Sequence, residues 1–157
     1  MDINHSEKVV TFKMGAEYFG ISIFRVMSIE KTEHITRMPD LPQHIKGILN
    51  LRGDIIPIID LRQFMLKTIP NEYDSNRIIV VKVDNTLAGL IVDEATEVLD
   101  IPNENVQGIS LAGSDLNRFM KVAKVNDKLV MILDIEALVK ESDIANAINE
   151  VKGILNE

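Results

Sequence analysis

Short apolar runs, each bounded by turn-forming residues, succeed one another along nearly the whole chain. This is the pattern of β-hairpins rather than of long helices. The clearest hairpin is central: two β-branched, aliphatic runs, Ile48–Leu51 and Ile55–Ile59, flank Arg52-Gly53-Asp54. Gly53 there can take the positive φ that a tight turn between twisted strands needs. Pro57 has no N–H, so the second strand must lie at an edge, carry a bulge or leave that position unpaired. Asp60 with Gln63 has the spacing of a capping box, and Leu61, Phe64 and Met65 follow on one side of the helix it would start.

Ahead of this hairpin, Val9–Met14 and Tyr18–Ile23 around Gly15-Ala16-Glu17 predict an opening hairpin. Met27–Lys31 reads as a third extended piece, with Ser28 and Glu30 on one face and Met27 and Ile29 on the other. Pro39-Asp40-Leu41-Pro42 predicts a turn, with Asp40 capping a short helical piece that Gly47 ends. Beyond the central hairpin, residues 68–76 form a polar connection. Ile78–Val83 is a nearly continuous apolar run, predicted to be buried on both sides, and Asp84-Asn85-Thr86 turns it into Leu87–Val92. Glu97–Ile101 is a short strand closed by Pro102. Residues 103–119 read as a loop with a helical turn near Leu116. Phe119–Val125 and Leu129–Leu133 make a last hairpin, and Asp134 starts a helix over Ile135–Lys140. Ile144, Ile148, Val151 and Leu155 share one face of a C-terminal helix over 142–157, which either packs on its own domain or is offered to a partner.

The two halves repeat. Gly20-Ile21-Ser22-Ile23 with Val26 and Ile29 corresponds to Gly89-Leu90-Ile91-Val92 with Ala95 and Val98. Ile48–Phe64 corresponds to Val122–Leu138, and Asn126-Asp127-Lys128 stands where Arg52-Gly53-Asp54 stands. The expected fold is mainly β: one domain over 1–157 made of two related lobes, around 8–66 and 77–140, each with about five short strands. A structural repeat needs its strands and turn in both copies, but it does not need an arginine in both. Arg52 is therefore a better candidate for function than its surroundings.

Composition narrows the class. At 157 residues the chain fits a single domain, and abundant aliphatics with few aromatics favour strands. A formal charge of −7 argues against unguided binding to nucleic acid or to an anionic membrane. There is no cysteine, hence no disulfide or thiol nucleophile. The first residues lack the basic start and apolar core of a signal peptide, and the apolar runs are too short to insert in a bilayer. His5, His34 and His44 have no metal-ligand spacing and read as surface histidines. Asp93-Glu94 reads as a solvated turn, and no Ser/His/Asp set or phosphate loop occurs. Neither an enzyme nor a cofactor or metal site is expected.

The run Ile-Lys-Gly-x-x-Asn-Leu-Arg-Gly-x-Ile-x-Pro-Ile-Ile-Asp-Leu-Arg over residues 45–62 strongly resembles the signature of the CheW-like family, the coupling proteins of bacterial chemotaxis. The likeness extends to Tyr18-Phe19-Gly20-Ile21 with Val26 and Ile29, to Ile35-Thr36-Arg37-Met38-Pro39, to Gly89-Leu90-Ile91-Val92-Asp93 with Val98-Leu99, and to Leu133-Asp134-Ile135. The resemblance implies two linked five-stranded barrels of the OB or SH3-like kind that share or exchange strands around a common core. It implies a non-catalytic adaptor that binds the cytoplasmic helical tip of methyl-accepting chemotaxis receptors with one surface and the regulatory domain of the histidine kinase CheA with another. Such a protein would work in the cytoplasm, at the inner face of the membrane through receptor arrays.

Site residues follow from the same resemblance. Arg52 and Gly53 lie beside the receptor-binding groove, where the arginine can pair with a carboxylate on the third strand. This chain has Ser28 where some members carry that glutamate, so Glu30, two residues on, is the expected replacement partner. Val26, Gly47, Ile55, Ile78 and Val98 match groove positions, where glycine permits close approach and aliphatics supply area for a docked helix. On the residues alone, Ile55, Ile78 and Val98 read equally as barrel core. The family's kinase contact runs end to end between like barrels, and no residue is assigned to it. Two other readings stand beside this one. A nucleic-acid-binding OB module would need a basic groove with exposed aromatics, which five Phe, two Tyr and no Trp under a negative charge disfavour. The other is the coupling domain of a larger kinase or receiver fusion, against which Met1 and the acidic, helical end favour a free-standing protein.

Overall fold

The computed structural model describes residues 6–42, 44–66, 77–108 and 119–155. The elements in order are β1 (Ser6–Met14), β2 (Glu17–Ser22), β3 (Val26–Lys31), β4 (Ile45–Leu51), β5 (Asp54–Asp60), α1 (Leu61–Leu66), β6 (Arg77–Val83), β7 (Thr86–Val92), β8 (Glu94–Pro102), β9 (Val106–Gly108), β10 (Met120–Val125), β11 (Lys128–Leu133), α2 (Ile135–Lys140) and α3 (Ser142–Leu155). The mainly β expectation holds. The polar connection over 68–76 and the helical turn near Leu116 lie outside the described residues.

Two sheets result. One has the order β8-β1-β2-β11-β10-β9 and the other β3-β6-β7-β5-β4. Each sheet takes one hairpin from the other half of the sequence. The early hairpin β1–β2 joins the late strands through a parallel pairing of β2 with β11, in which Gly20 opposes Ile132. The middle hairpin β6–β7 joins the early strands through a parallel pairing of β7 with β5, in which Gly89 opposes Ile58. The two glycines differ in what a side chain there would meet. A Cβ on Gly20 would run into Val9 of its own hairpin, whereas a Cβ on Gly89 would run into Ile58 across the joint, so the β6–β7 hairpin seats on β5 only because a side chain is missing there.

Alternation along the strands divides the apolar residues among three cores. Leu49, Ile56, Ile58, Ile78, Val80 and Ile91 fill the inside of the five-stranded sheet. Val9, Ile101 and Ala123, with Leu99, Val106, Val125 and Ile132, fill the six-stranded one. The opposite faces meet in a shared core that includes Phe12, Phe19, Ile59, Ile79, Leu90 and Leu133. Ile78–Val83 feeds both sides, as its unbroken apolar run predicts. In α3 the Ile144, Ile148 and Val151 stripe is buried in the shared core, so the helix packs on its own domain.

The short helix expected between Asp40 and Gly47 is absent. Asp40 and His44 both take left-handed backbone, at φ 58° and 74°, and β4 starts at Ile45. Thr36 exchanges two backbone hydrogen bonds with Ile48, at 2.8 and 2.9 Å. Within the segment itself, the His44 carbonyl accepts from the Asp60 N–H at 3.1 Å and Ile45 and Gly47 pair with Ile59 and Ile58, so its second half is extended against β5 and its polar groups are met without coiling. Pro57 takes the third of its expected outcomes on one side only, that of β7. It opposes Ile48 on β4, and parallel pairing of β5 with β7 begins one residue later, at Ile58.

Candidate functional site

The β4–β5 turn is a two-residue loop, closed by the Leu51–Asp54 pair. Arg52 and Gly53 have φ of 54° and 91°, the double positive φ of a type I′ turn that matches strand twist. The Asn50 side-chain oxygen accepts a hydrogen bond from the Gly53 N–H at 3.1 Å and braces the loop. The equivalent β10–β11 turn, closed by Val125–Lys128, holds Asn126 and Asp127 at φ 49° and 65°. Asn is a residue that such backbone tolerates; arginine is not. Arg52 is thus an exposed cation held where its own backbone preference opposes it. Replacing Arg52 by Asn is expected to raise stability by about 1 kcal/mol, readable by urea denaturation. A loss would show that the side chain holds the hairpin together and is not free for other work.

The structure distributes the other expected site residues unevenly. Ile55 and Val98 keep 41% and 52% of their surface exposed, and Val26 and Glu30 are half-buried on one face of β3. Two positions are corrected. Ile78 is fully buried inside the five-stranded sheet, because the alternation of β6 points it inward. Gly47 is covered: a Cβ there would stand 2.5 Å from the Thr36 carbonyl oxygen, so its glycine serves the crossing of the 35–36 segment and not an open groove. Arg52 and Glu30 make no ion pair. Glu30 belongs to β3 and Arg52 to the β4–β5 hairpin, at opposite ends of the strand order. Apolar surface that sequence reading left unassigned adjoins Val26. Met27 and Ile29 point outward on β3, and Phe24 is 89% exposed; the alternation of 27 and 29 was the available signal.

Asp93, one-third exposed at a bend, is more than a solvated turn residue, while Glu94 beside it is exposed as expected. Arg62, at the start of α1, is buried together with Asp60. The Arg62 guanidinium donates to Asp60 at 3.2 Å and to Asp93 at 2.9 Å. Asp93 lies between β7 and β8, where the chain passes from one sheet to the other, and its second oxygen accepts from the Gly15 N–H in the β1–β2 turn at 2.6 Å. Asp60 meanwhile accepts from the Arg62 and Gln63 backbone N–H groups and caps α1. Burial alone would lower the pKa of the Arg62 guanidinium, but the hydrogen bonds it donates to Asp60 and Asp93, with the attraction of both charges, hold it above its ordinary value. The signal in the sequence was an arginine in the first turn of a helix, where the dipole disfavours a cation unless an anion faces it.

Of the histidines, His34 is exposed and His44 is half-buried, its ring edge-on to Phe64 at 5.2 Å. His5 lies outside the described residues. Among the described residues no group of three or more His, Cys, Asp or Glu could hold a metal ion, and no helix is long and apolar enough to cross a membrane.

Residues 8–143 match the family model described as "CheW-like domain". The chain is 34% identical to the chemotaxis protein CheW of Helicobacter pylori over 84% of this chain and 81% of that one. It is 30% identical to the chemotaxis protein CheW of Klebsiella aerogenes over 93% and 89%. Among solved structures, the scaffolding protein TtCheW of Thermoanaerobacter tengcongensis superposes with a TM-score of 0.77 at 32% identity, over 91% of this chain and 92% of that one.

Proposed function

The chain belongs to the CheW-like domain family, and from that premise we propose that it is a non-catalytic adaptor of bacterial chemotaxis, coupling methyl-accepting receptors to the histidine kinase CheA. One surface binds the helical tip of the receptor and another binds the kinase's regulatory domain, in the cytoplasm beneath receptor arrays. An adaptor of this kind works by geometry, since tethering converts a bimolecular encounter into a local one at high effective concentration. The observation that carries the receptor surface is Arg52: an exposed arginine in left-handed backbone at a braced hairpin tip, where the twin hairpin uses Asn126. Exposed Ile55 on the strand that follows, and Val98 on β8, supply apolar area of the kind a docked helix needs. Glu30, half-buried on β3 beside Val26, remains part of this proposed surface without touching Arg52.

The test is a pull-down of a purified receptor cytoplasmic fragment and of the kinase regulatory domain, with wild type and Arg52→Glu, and thermal melting alongside. Receptor capture is expected to fall about tenfold or more, with kinase capture and melting temperature kept. Full receptor capture by Arg52→Glu would remove Arg52 from the surface. If wild type captured neither partner, the coupling reading would fail.

A further inference from the structure

Exchange of hairpins between two similar halves raises a question of selection. The β1–β2 hairpin could in principle dock beside β5, in its own half, and β6–β7 beside β11. Both hairpins present a glycine, Gly20 or Gly89, opposite the strand they join, so backbone pairing does not by itself tell them apart. The repeat also places equivalent residues at the two joints. Arg62 follows the capping Asp60 by two positions, and Glu136 follows the capping Asp134 by two.

Both of these residues are ion-paired, each to the end of the hairpin docked on its sheet. Arg62, after β5, pairs at 2.9 Å with Asp93, which immediately follows β7. Glu136, after β11, pairs at 3.0 Å with Arg25, which lies between β2 and β3. The helix members sit at equivalent places, the hairpin members lie one residue apart in the repeat, Arg25 matching Glu94 beside Asp93, and the two clamps have opposite polarity. At one the helix carries the cation and the hairpin the anion; at the other the helix carries the anion and the hairpin the cation.

We propose that this reversal is a docking code that selects the exchanged fold. With each hairpin on its own half, the end carrying Arg25 would come to Arg62, and the end carrying Asp93 and Glu94 would come to Glu136. Both joints would then set like charges together, one of them against a buried guanidinium. Like charges brought together in place of a pair raise the cost of the wrong arrangement without altering the right one. The code therefore acts on which hairpin finds which sheet during folding, a choice made between segments 31 and 111 residues apart.

The discriminating variant is Arg25→Asp with Glu136→Arg. It keeps an ion pair at the exposed native joint but makes both wrong joints charge-complementary. Refolding from denaturant is followed by far-UV circular dichroism for wild type, Arg25→Ala, Glu136→Arg and the double variant. Glu136→Arg alone sets an upper limit on the new repulsion from Lys140, which bonds Glu136 at 2.9 Å in the wild type, because it also faces Arg25. Phases set by the five prolines are common to all. The double variant is expected to place at least about threefold more of its amplitude in slow phases than wild type or either single variant. Should it refold like wild type in rate and yield, the pair at 25 and 136 only holds a contact, and the code is overturned. If the double variant does not fold, Arg25→Asp against Arg25→Ala, each combined with Glu136→Ala so that no carboxylate faces position 25 in the native fold, makes the same comparison: equal slow amplitude in those two overturns the proposal, and excess in the Arg25→Asp protein supports it.

Discussion

Replacing Arg62 with methionine is expected to lower the unfolding free energy by about 3–5 kcal/mol, which moves the melting midpoint by roughly 6–20 °C for a chain of this size. The cost does not come from losing an attraction in water. It comes from what is left behind: Asp60, 1% exposed, keeps a charge with no cation facing it, and Asp93 loses the group that ties it to α1. The β7-to-β8 crossover and the β1–β2 turn, which Asp93 joins through the Gly15 N–H, loosen together. Adding Asp60→Asn to this variant is expected to return about 1–2 kcal/mol, because Asn still caps a helix but carries no charge. Urea denaturation of the three proteins reads both steps. A loss under about 1 kcal/mol for Arg62→Met would mean that water reaches this network as it reaches a surface pair.

The second large effect separates residues that the sequence treats alike. Ile78→Ala is expected to cost about 2–5 kcal/mol, since Ile78 is fully buried and its neighbours Ile58 and Gly89 cannot close the space completely. Ile55→Ala and Val98→Ala, at exposed strand positions, are expected to cost less than about 1 kcal/mol each. Capture of the receptor fragment should show the reverse order, with the two exposed substitutions weakening it and Ile78→Ala, measured well below its melting temperature, leaving it intact. Equal stability losses at 78 and 98 would contradict the burial seen here. Weakened capture by Ile78→Ala alone would instead put Ile78 back into the receptor surface.

Local chemistry wrote much of this protein into its sequence. The central hairpin was legible because Arg52-Gly53 interrupts two aliphatic runs, and Gly53 is one of the few residues at ease with the positive φ found there. The helix starts at Asp60 and Asp134 were legible because a carboxylate at that position accepts N–H groups of the first turn, as both do. The internal repeat and the family could be read from spaced residues alone. The expected helix over 40–47 failed for a reason local rules do not contain: His44, Ile45 and Gly47 found the far end of β5, and strand pairing replaced a helical turn.

The sequence by itself determined the strands, the turns, the caps and the twofold repetition, because period and turn chemistry act over a few neighbouring residues. Only the tertiary structure decided three things: that each hairpin docks in the opposite half, that Ile78 turns inward while Val98 stays out, and that Arg62 reaches Asp93 and not Asp60 alone. The parallel joints at Gly20 and Gly89 are pairings between distant segments, and burial depends on what arrives from elsewhere in the chain. An aliphatic residue on a strand has the same local signature whether a second layer covers it or solvent does.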